Sequence, residues 1–188
     1  LEKQIPYLSL FAFSIENLQR SVVERECIFN LLVVYGKKYA TQMAAKGARV
    51  HIVGDTSLFP NHIKDVCNEI EDITKDGKKL TIQLLFCYGG RQEIVAGVQH
   101  ICKLVCSGKL DVTSITEQSF KKYLWSGDIP DPDLVVRTGF ANRLSNFLTY
   151  QTAYSELYFP QCLWPDMTHE EFEAAYNYFM SCKRNFGR

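Results

Sequence analysis

The chain has 188 residues, with 21 basic and 21 acidic side chains, and 46% of its residues are hydrophobic. This length suits one domain with a sizeable core, and the balanced charge excludes the strongly basic character typical of nucleic-acid-binding proteins. No apolar run reaches the roughly 20 residues needed to span a bilayer. The seven cysteines include no CxxC pair, so we interpret them as buried thiols of a reducing, cytoplasmic compartment rather than as a zinc site.

The first half of the chain predicts strands that alternate with helices. Strands are predicted at residues 7–13, 49–54 and 80–88, and helices at residues 21–46, 62–74 and 91–106. Gly47 is a plausible C-terminal cap for the first of these helices. Gly89 and Gly90 stop the third strand, which is the most strand-like segment of the chain.

The second half predicts a short helix, one more buried strand at residues 133–137, and a closing helix. Ser114 with Glu117 forms the capping-box pattern of the short helix, which runs to Trp125. The closing helix is capped by Thr168 with Glu171.

Near-continuous apolar strands separated by helices are typical of a parallel sheet with helices on both faces. We therefore predict the α/β class, with a parallel sheet flanked by helices. We expect a single domain that spans residues 1–188 without an internal repeat or linker.

Polar residues follow three of the predicted strands directly. SIENLQR follows the first strand, GGRQE the third, and RTGFANRLS the last. The carboxyl ends of parallel strands lie at one sheet edge, where open α/β sheets bind ligands, so the three exits can converge on one crevice. Taken singly, each has a simpler interpretation: Ser14 as a helix N-cap, Gly89-Gly90 as a turn, and Arg91 as a solvated residue.

The last exit carries two arginines six residues apart, Arg137 and Arg143, and Ser145 follows two positions later. A guanidinium group is always charged, and its planar fork binds phosphate oxygens through two hydrogen bonds. Backbone N–H groups near Gly139 can add further donors. The GxxxxGK[ST] and GxGxxG patterns are absent. A diphosphate ester is therefore the ligand that these residue types match best.

One carboxylate, Glu156, lies inside the aromatic stretch QTAYSELYFPQCLWPDM. A carboxylate in such surroundings is costly to bury unless it is paired, hydrogen-bonded or bound to a metal. Mg²⁺ typically takes one or two carboxylates together with phosphate oxygens. Glu156 is therefore a candidate Mg²⁺ ligand, and the alternative is a surface glutamate on an edge strand.

Four segments, in order along the chain, resemble the cis-prenyltransferases, the family of undecaprenyl and dehydrodolichyl diphosphate synthases. They are FAFSIENLQR, LLFCYGGRQEIV, DLVVRTGFANRLSNFL and AYSELYFPQCLWPDM. The resemblance implies repeated addition of isopentenyl diphosphate to an allylic diphosphate such as farnesyl diphosphate, with a cis double bond each time, to make a lipid carrier for glycan synthesis. It also implies Mg²⁺, a homodimer, a hydrophobic tunnel, and peripheral membrane contact through the product, at the endoplasmic reticulum in a eukaryote.

The resemblance further implies roles for individual residues. Asn17 matches the family's asparagine that is proposed to assist proton removal, and Glu156 matches a Mg²⁺ ligand. The implied substrate-binding residues are Ser14, Ile15, Glu16, Leu18 and Arg20 in the SxENxxR loop, and Arg137, Arg143, Leu144 and Ser145 in the isopentenyl diphosphate clamp.

The sequence departs from the family pattern at several positions. Leu18 stands where tryptophan is usual, and Cys87 stands where asparagine usually precedes YGGR. Phe-Ala-Asn at 140–142 replaces Gly-Glu-His between the clamp arginines. The family's segment with the principal metal-binding aspartate is expected upstream of Leu1, so we expect an N-terminal part of the domain to be absent from this chain.

Three functions stay open. The first is an active prenyl-chain synthase, which we favour because the SxEN loop and the clamp are both present. The others are a non-catalytic partner subunit of a heteromeric cis-prenyltransferase and a generic phosphate-binding α/β module. The predicted helix at 21–46 has a similar ambiguity, because its apolar positions suit either a tunnel wall or ordinary core. These positions are Val22, Val23, Cys27, Leu31 and Val34.

Overall fold

The computed structural model describes residues 3–127 and 129–184. They fall into two compact units, Leu1–Pro130 and Asp131–Arg188. The first unit contains strands β1 (Tyr7–Ser14), β2 (Ala48–Val53) and β3 (Leu80–Tyr88), and helices α1 (Val22–Ala45), α2 (Asn61–Thr74), α3 (Gly90–Cys106) and α4 (Glu117–Lys121). The second contains β4 (Leu134–Val136), β5 (Glu156–Tyr158) and α5 (His169–Ser181).

The first unit is built on a parallel sheet with strand order β1-β3-β2. The central strand β3 pairs with both neighbours, so that Leu10, Leu84 and Ile52 lie side by side. Register shifts interrupt the β1–β3 pairing next to Phe13. The strand pairs among the described residues are parallel. Helices connect β1 to β2 and β2 to β3, whereas the segment between β4 and β5 contains no helix. The predicted architecture, a parallel sheet flanked by helices, is therefore confirmed.

Helices α1 and α2 pack together on apolar residues of the sheet. Phe13, Phe29 and Phe86 form an aromatic cluster with ring centroids 5.4–5.5 Å apart. The two helices approach closely at Gly36, where a Cβ atom would lie 2.6 Å from the Cδ1 atom of Ile70. Burial of these side chains supplies the main driving force for folding of this unit.

Two side chains of α2 are hydrogen-bonded to the outer backbone of β2. The Thr74 hydroxyl oxygen accepts a bond from the Val50 N–H at 3.0 Å, and the Glu71 carboxylate accepts one from the Ile52 N–H at 2.9 Å. Thr74 is fully buried and donates its own hydroxyl hydrogen to the Ile70 carbonyl at 2.9 Å. These contacts fasten α2 along the strand.

The predicted caps are confirmed for α5 and corrected for α4. Thr168 caps α5 as expected. The residues that cap α4 are Thr116 and Ser119, because each of their side-chain oxygens accepts a hydrogen bond from the other's N–H, at 3.1 and 2.7 Å. The predicted pair, Ser114 with Glu117, is therefore wrong. Ser114 instead ends a short 3₁₀ turn, and α4 stops at Lys121 rather than reaching Trp125.

The prediction that the cysteines are buried holds for only two of the seven. Cys67 and Cys87 are buried, and this burial raises the pKa of each thiol to about 12. The other five are exposed or half-buried. None of the helices in the described ranges combines the length and the apolar character that a bilayer crossing requires.

The second unit is organised around the parallel pair β4 and β5, with Leu134 opposite Glu156 and Val136 opposite Tyr158. Backbone bonds continue beyond the strands, since the Arg137 N–H donates to the Tyr158 carbonyl at 2.9 Å and the Gly139 N–H donates to the Cys162 carbonyl at 2.8 Å. Strand β5 was not among the predicted strands, although an edge strand at Glu156 was the alternative given for that residue. It fixes the start of the arginine-bearing segment that follows β4.

Candidate active site

The turn after β1 is a 3₁₀ helix, Ile15–Gln19, with Ser14 as its N-cap. The Ser14 hydroxyl oxygen accepts a hydrogen bond from the Asn17 N–H at 3.3 Å, and the Asn17 Oδ1 atom accepts one from the Ser14 N–H at 3.1 Å. The N-cap interpretation of Ser14 is therefore correct, and its capping partner is Asn17. Because Oδ1 is engaged, the side-chain NH₂ group of Asn17 is the group that remains to meet a ligand.

The other residues of this turn are of two kinds, partly buried apolar residues and exposed charged ones. Leu18 packs against the aromatic cluster of Phe13, Phe29 and Phe86, and Ile15 is half-buried. Glu16 and Arg20 are exposed. Leu18, which departs from the family's tryptophan, therefore holds the turn on the core while the charged residues face solvent.

The ends of β2 and β3 meet next to this turn. Ser14 pairs with Tyr88 in the sheet, so the exits of β1 and β3 lie side by side as predicted. Cys87 adopts a left-handed backbone with φ of 46°. Gly54 ends β2 with φ of 156°, and a Cβ atom there would lie 1.9 Å from the Phe86 carbonyl oxygen. Only glycine fits at position 54, a site that the sequence analysis did not single out.

A buried glutamate, Glu93, is hydrogen-bonded to Tyr88, the last residue of β3. Glu93 is fully buried, and its Oε2 atom accepts a hydrogen bond from the Tyr88 hydroxyl at 2.5 Å. Its Oε1 atom accepts bonds from the Ser126 N–H at 2.9 Å and from the Ser126 hydroxyl at 2.8 Å. Glu93 was not among the predicted site residues, although its place in the GGRQE segment was a usable signal.

The third predicted exit, after β4, belongs to the second unit and has an unusual backbone. Five residues between positions 139 and 148 adopt left-handed conformations: Gly139, Phe140, Ser145, Asn146 and Leu148, with φ of 88°, 57°, 50°, 65° and 36°. Left-handed residues beside right-handed ones turn successive N–H groups toward one concave side, which is a recurrent way to bind anions. The segment that carries the predicted clamp is therefore a strained loop of the kind found at functional sites.

The four clamp residues are distributed along this segment. Arg137 is half-buried at its start, and its Nε–H is shielded from solvent without a hydrogen-bond partner in the part of the chain that the structure describes. Arg143 and Ser145 are exposed, and Leu144 is half-buried. The guanidinium of Arg137 thus has an unused donor, and Arg143 and Ser145 are free to contact a ligand from solvent. Their substrate-binding role stays a prediction.

Glu156 is the first residue of β5 and is half-buried. Its N–H donates to the Asp133 carbonyl at 2.9 Å, which leaves its carboxylate outside the strand pairing. No group of three or more His, Cys, Asp and Glu side chains suited to a metal occurs within residues 3–127 and 129–184. One carboxylate fits Mg²⁺ that is bound mostly by phosphate oxygens and water, and it does not fit a site made by protein ligands alone.

The apolar positions of α1 named above face solvent. Val22, Val23, Leu31 and Val34 are 62%, 80%, 51% and 63% exposed, and Cys27 is also exposed. Their interpretation as ordinary core is therefore wrong. With Tyr35 and the polar residues Glu26 and Asn30 they line an open groove of about 670 Å³, which we call the α1 groove. A mainly apolar exposed surface of this kind usually marks a binding site.

A second cleft, of about 330 Å³, lies along β2 and α2 and is polar. It contains a hydrogen bond of 2.7 Å between His51 and Glu71. Burial by itself raises the pKa of Glu71. The hydrogen bonds from His51 and the Ile52 N–H, together with the nearby charges of His51 and Arg49, hold this pKa below its ordinary value.

Comparison with known proteins assigns a relationship to nearly the whole chain. The sequence profile of the undecaprenyl diphosphate synthase family matches residues 1–187. An isoprenyl transferase of Thermotoga maritima is 40% identical over 187 residues, which cover 100% of this chain and 79% of that protein. The ditrans,polycis-undecaprenyl-diphosphate synthase ((2E,6E)-farnesyl-diphosphate specific) of Buchnera aphidicola is 36% identical over 187 residues. This match covers 100% of this chain and 75% of that protein.

A solved structure agrees with these sequence relatives. Lavandulyl diphosphate synthase from Lavandula x intermedia, crystallised in complex with dimethylallyl diphosphate, superposes with a TM-score of 0.95. The two sequences are 26% identical, and the match covers 100% of this chain and 81% of that one.

Proposed function

This chain belongs to the undecaprenyl diphosphate synthase family of prenyl-transferring enzymes, and we propose that it adds isopentenyl diphosphate units to an allylic diphosphate with cis stereochemistry. The name of the Buchnera relative supports farnesyl diphosphate as the primer. The dimethylallyl diphosphate in the Lavandula structure supports an allylic diphosphate as the substrate class. We propose that the product is a polyprenyl carrier for glycan synthesis, and that the enzyme is a homodimer.

The observation that carries this proposal is the loop after β4. Arg137 enters it with a shielded Nε–H that has no acceptor among the described residues, and the left-handed residues that follow turn backbone N–H groups toward one side. Arg143 and Ser145 add an exposed guanidinium and a hydroxyl. These donors suit the isopentenyl diphosphate, whose charge is spread over several phosphate oxygens. A preorganised set of donors lowers the barrier because it needs no rearrangement when substrate binds.

We assign the turn after β1, which carries Asn17, to the chemical step. In the reaction an allylic diphosphate ionises, the isopentenyl double bond attacks the allylic cation, and loss of a proton completes the new unit. An amide is a very weak base. Asn17 keeps its Oδ1 atom on the Ser14 N–H at 3.1 Å. Its NH₂ group therefore assists proton removal by donating to an oxygen of the released diphosphate, which takes the proton.

Glu156 is the residue that would hold Mg²⁺ together with phosphate oxygens of the substrates. When bound, Mg²⁺ offsets the negative charge of the departing diphosphate. Glu156 is half-buried on β5. Its backbone is held in place because the Glu156 N–H donates to the Asp133 carbonyl and the Tyr158 carbonyl accepts from the Arg137 N–H.

The α1 groove is consistent with a product that is an apolar chain and grows by successive additions. Its lining by Val22, Val23, Leu31 and Val34 gives a polyprenyl chain an apolar surface, and each buried methylene group contributes about 0.8 kcal/mol. We propose that this surface contacts the growing chain.

The test is incorporation of radiolabelled isopentenyl diphosphate by the purified full-length protein, with dimethylallyl, geranyl and farnesyl diphosphates as separate primers. Magnesium-dependent, primer-dependent formation of labelled polyprenyl diphosphates with cis double bonds is the expected result. Binding of both substrates without any elongation would overturn the synthase assignment in favour of a non-catalytic partner subunit.

A further inference from the structure

Arg25 lies in the second turn of α1, on the side of the helix that faces the core. The inward side of α1 continues from it at helical spacing through Phe29, Leu32, Gly36 and Ala40. Phe29 is 4% exposed and Ala40 is 1% exposed. A period of 3.6 residues places Arg25 on the same side of the helix as these residues. One charged residue therefore begins a stripe whose other members are apolar or small.

The stripe also places Arg25 at the carboxyl edge of the sheet. Phe29 contacts Phe13 and Phe86, with ring centroids 5.4 and 5.5 Å away, and these two residues lie near the ends of β1 and β3. Helix α1 starts directly after the turn that follows β1. Arg25 is four residues before Phe29, so it lies about 6 Å closer to the start of the helix. The same turn carries Arg20 and the unengaged NH₂ group of Asn17.

One donor of the Arg25 guanidinium, the Nε–H, is shielded from solvent and has no acceptor within residues 3–127 and 129–184. The adjacent carboxylate, Glu24, is engaged by the hydroxyl and the N–H of Ser21, at 2.7 and 3.1 Å. Shielding a charged donor without an acceptor is unfavourable. An anion that binds at this edge would supply the missing acceptor.

We propose that Arg25 is a further diphosphate-binding residue, whose guanidinium donates to phosphate oxygens of a substrate beside Arg20 and Asn17. The proposal rests on the proposed function, in which both substrates are diphosphate esters. A planar guanidinium can contact two oxygens of one phosphate or bridge two phosphates. Because one side of Arg25 is already removed from water, its attraction to a phosphate is screened less than that of a fully solvated arginine.

The test compares the parent protein with Arg25→Met, which keeps the length of the side chain and removes its charge, and with Arg25→Lys. Arg49→Met is the matched control, because Arg49 is exposed on β2 and lines the polar cleft instead. Inorganic pyrophosphate is titrated calorimetrically at fixed ionic strength. We expect Arg25→Met to weaken pyrophosphate binding by about tenfold or more and Arg25→Lys to weaken it less. Arg49→Met should stay within about twofold of the parent.

Thermal unfolding separates this role from a packing role. Arg25→Met should unfold at the same temperature as the parent or higher, because the variant no longer shields an unpaired charge. The Michaelis constants of isopentenyl diphosphate and of the allylic primer, measured separately, show which diphosphate Arg25 contacts. Unchanged pyrophosphate affinity in Arg25→Met would overturn the proposal. If the parent binds pyrophosphate through Arg25 but makes no polyprenyl product, the proposed function fails and the binding site stands. If the parent elongates and Arg25→Met matches it in every measurement, the proposed function stands and the diphosphate-binding role of Arg25 fails.

Discussion

The Tyr88 hydroxyl donates a hydrogen bond of 2.5 Å to the carboxylate of Glu93, and both residues are fully buried. Tyr88 also packs edge-on against Phe11 and Trp125, with ring centroids 6.0 and 6.1 Å away. Since the backbone of Tyr88 pairs with Ser14, this buried pair fixes the end of β3 beside the turn that carries Asn17.

Replacing Tyr88 by Phe keeps the ring contacts and removes only the donor. A buried carboxylate that loses a donor costs about 1–3 kcal/mol, so the free energy of unfolding in urea should fall by that amount. Thr113→Val is the matched control, because it removes a hydroxyl–carboxylate bond of 2.7 Å to Asp111 that is exposed. The control should cost less than about 0.5 kcal/mol. Equal losses in the two variants would contradict a special role for the buried pair.

Removing the Arg137 guanidinium should weaken the binding of isopentenyl diphosphate more than the binding of the allylic primer. A charge-assisted contact contributes about 1.5–3 kcal/mol, so Arg137→Ala should raise the Michaelis constant of isopentenyl diphosphate by about tenfold or more. The constant of the allylic primer should change far less. Steady-state kinetics with each substrate varied in turn provides the measurement. Equal increases for both substrates would argue against the clamp assignment.

Larger side chains in the α1 groove should shorten the product. Val23 is 80% exposed and Cys27 is exposed, so Val23→Phe or Cys27→Phe should leave stability within about 0.5 kcal/mol and shift the chromatographic ladder of labelled polyprenols to shorter chains. Thr41→Phe, on the same helix face but beyond the apolar residues, is the control and should leave the ladder unchanged. A ladder unaffected by every apolar replacement would mean that the groove does not contact the product.

Glu156→Gln should remove most magnesium-dependent condensation. The amide keeps the size of the side chain but loses the charge that Mg²⁺ requires, and metal stabilisation of a departing diphosphate is worth several kcal/mol, so a loss of about a hundredfold in kcat is expected. The fold should persist, because β5 is paired through its backbone. The exposed Glu170→Gln is the control and should retain activity. Full activity in Glu156→Gln at limiting Mg²⁺ would exclude Glu156 as a ligand.

The lowered pKa of Glu71 predicts how stability depends on pH. A carboxyl whose pKa is lower in the folded state than its ordinary value of 4.5 stabilises the fold above that value, and this stabilisation is lost as the pH falls through the folded pKa. The pair with His51 is partly exposed, so the contribution should be below about 1 kcal/mol. The difference in unfolding free energy between the parent and Glu71→Gln should therefore shrink as the pH is lowered from neutral through and below 4.5. A difference that is constant over this range would contradict it.

The regular elements were predictable because their local signals agree with the fold. The first three strands are apolar runs stopped by glycines or polar residues, and α1, α2 and α3 have helical composition ended by Gly47, Gly77 and Gly108. The short elements were not predictable in this way. Strand β5 has three residues inside an aromatic stretch, and only its pairing with β4 makes it a strand.

The residues of the candidate site were proposed from their types and order, and their role stays a prediction, whereas the backbone that carries them was not predicted. Ser14 was considered as an N-cap, but its partner was not predicted, because the cap uses Asn17 where the usual pattern has glutamate or glutamine. The left-handed φ angles of Phe140, Ser145 and Leu148 are held by the surrounding structure against the preference of these residues. Arg25 has no local signal at all, because its significance comes from the direction in which α1 faces.

The hydrogen bonds from Val50 to Thr74 and from Ile52 to Glu71 have a consequence for the molecule in a crowded solution. The outer strand of a sheet normally offers its unpaired N–H groups as a template on which a strand of another chain can assemble. In β2 two of these groups are already occupied by side chains of α2, and α2 itself covers them. These side-chain bonds therefore disfavour the addition of another chain's strand at this edge. Loss of the Thr74 hydroxyl would leave the Val50 N–H without its acceptor and available to such a strand.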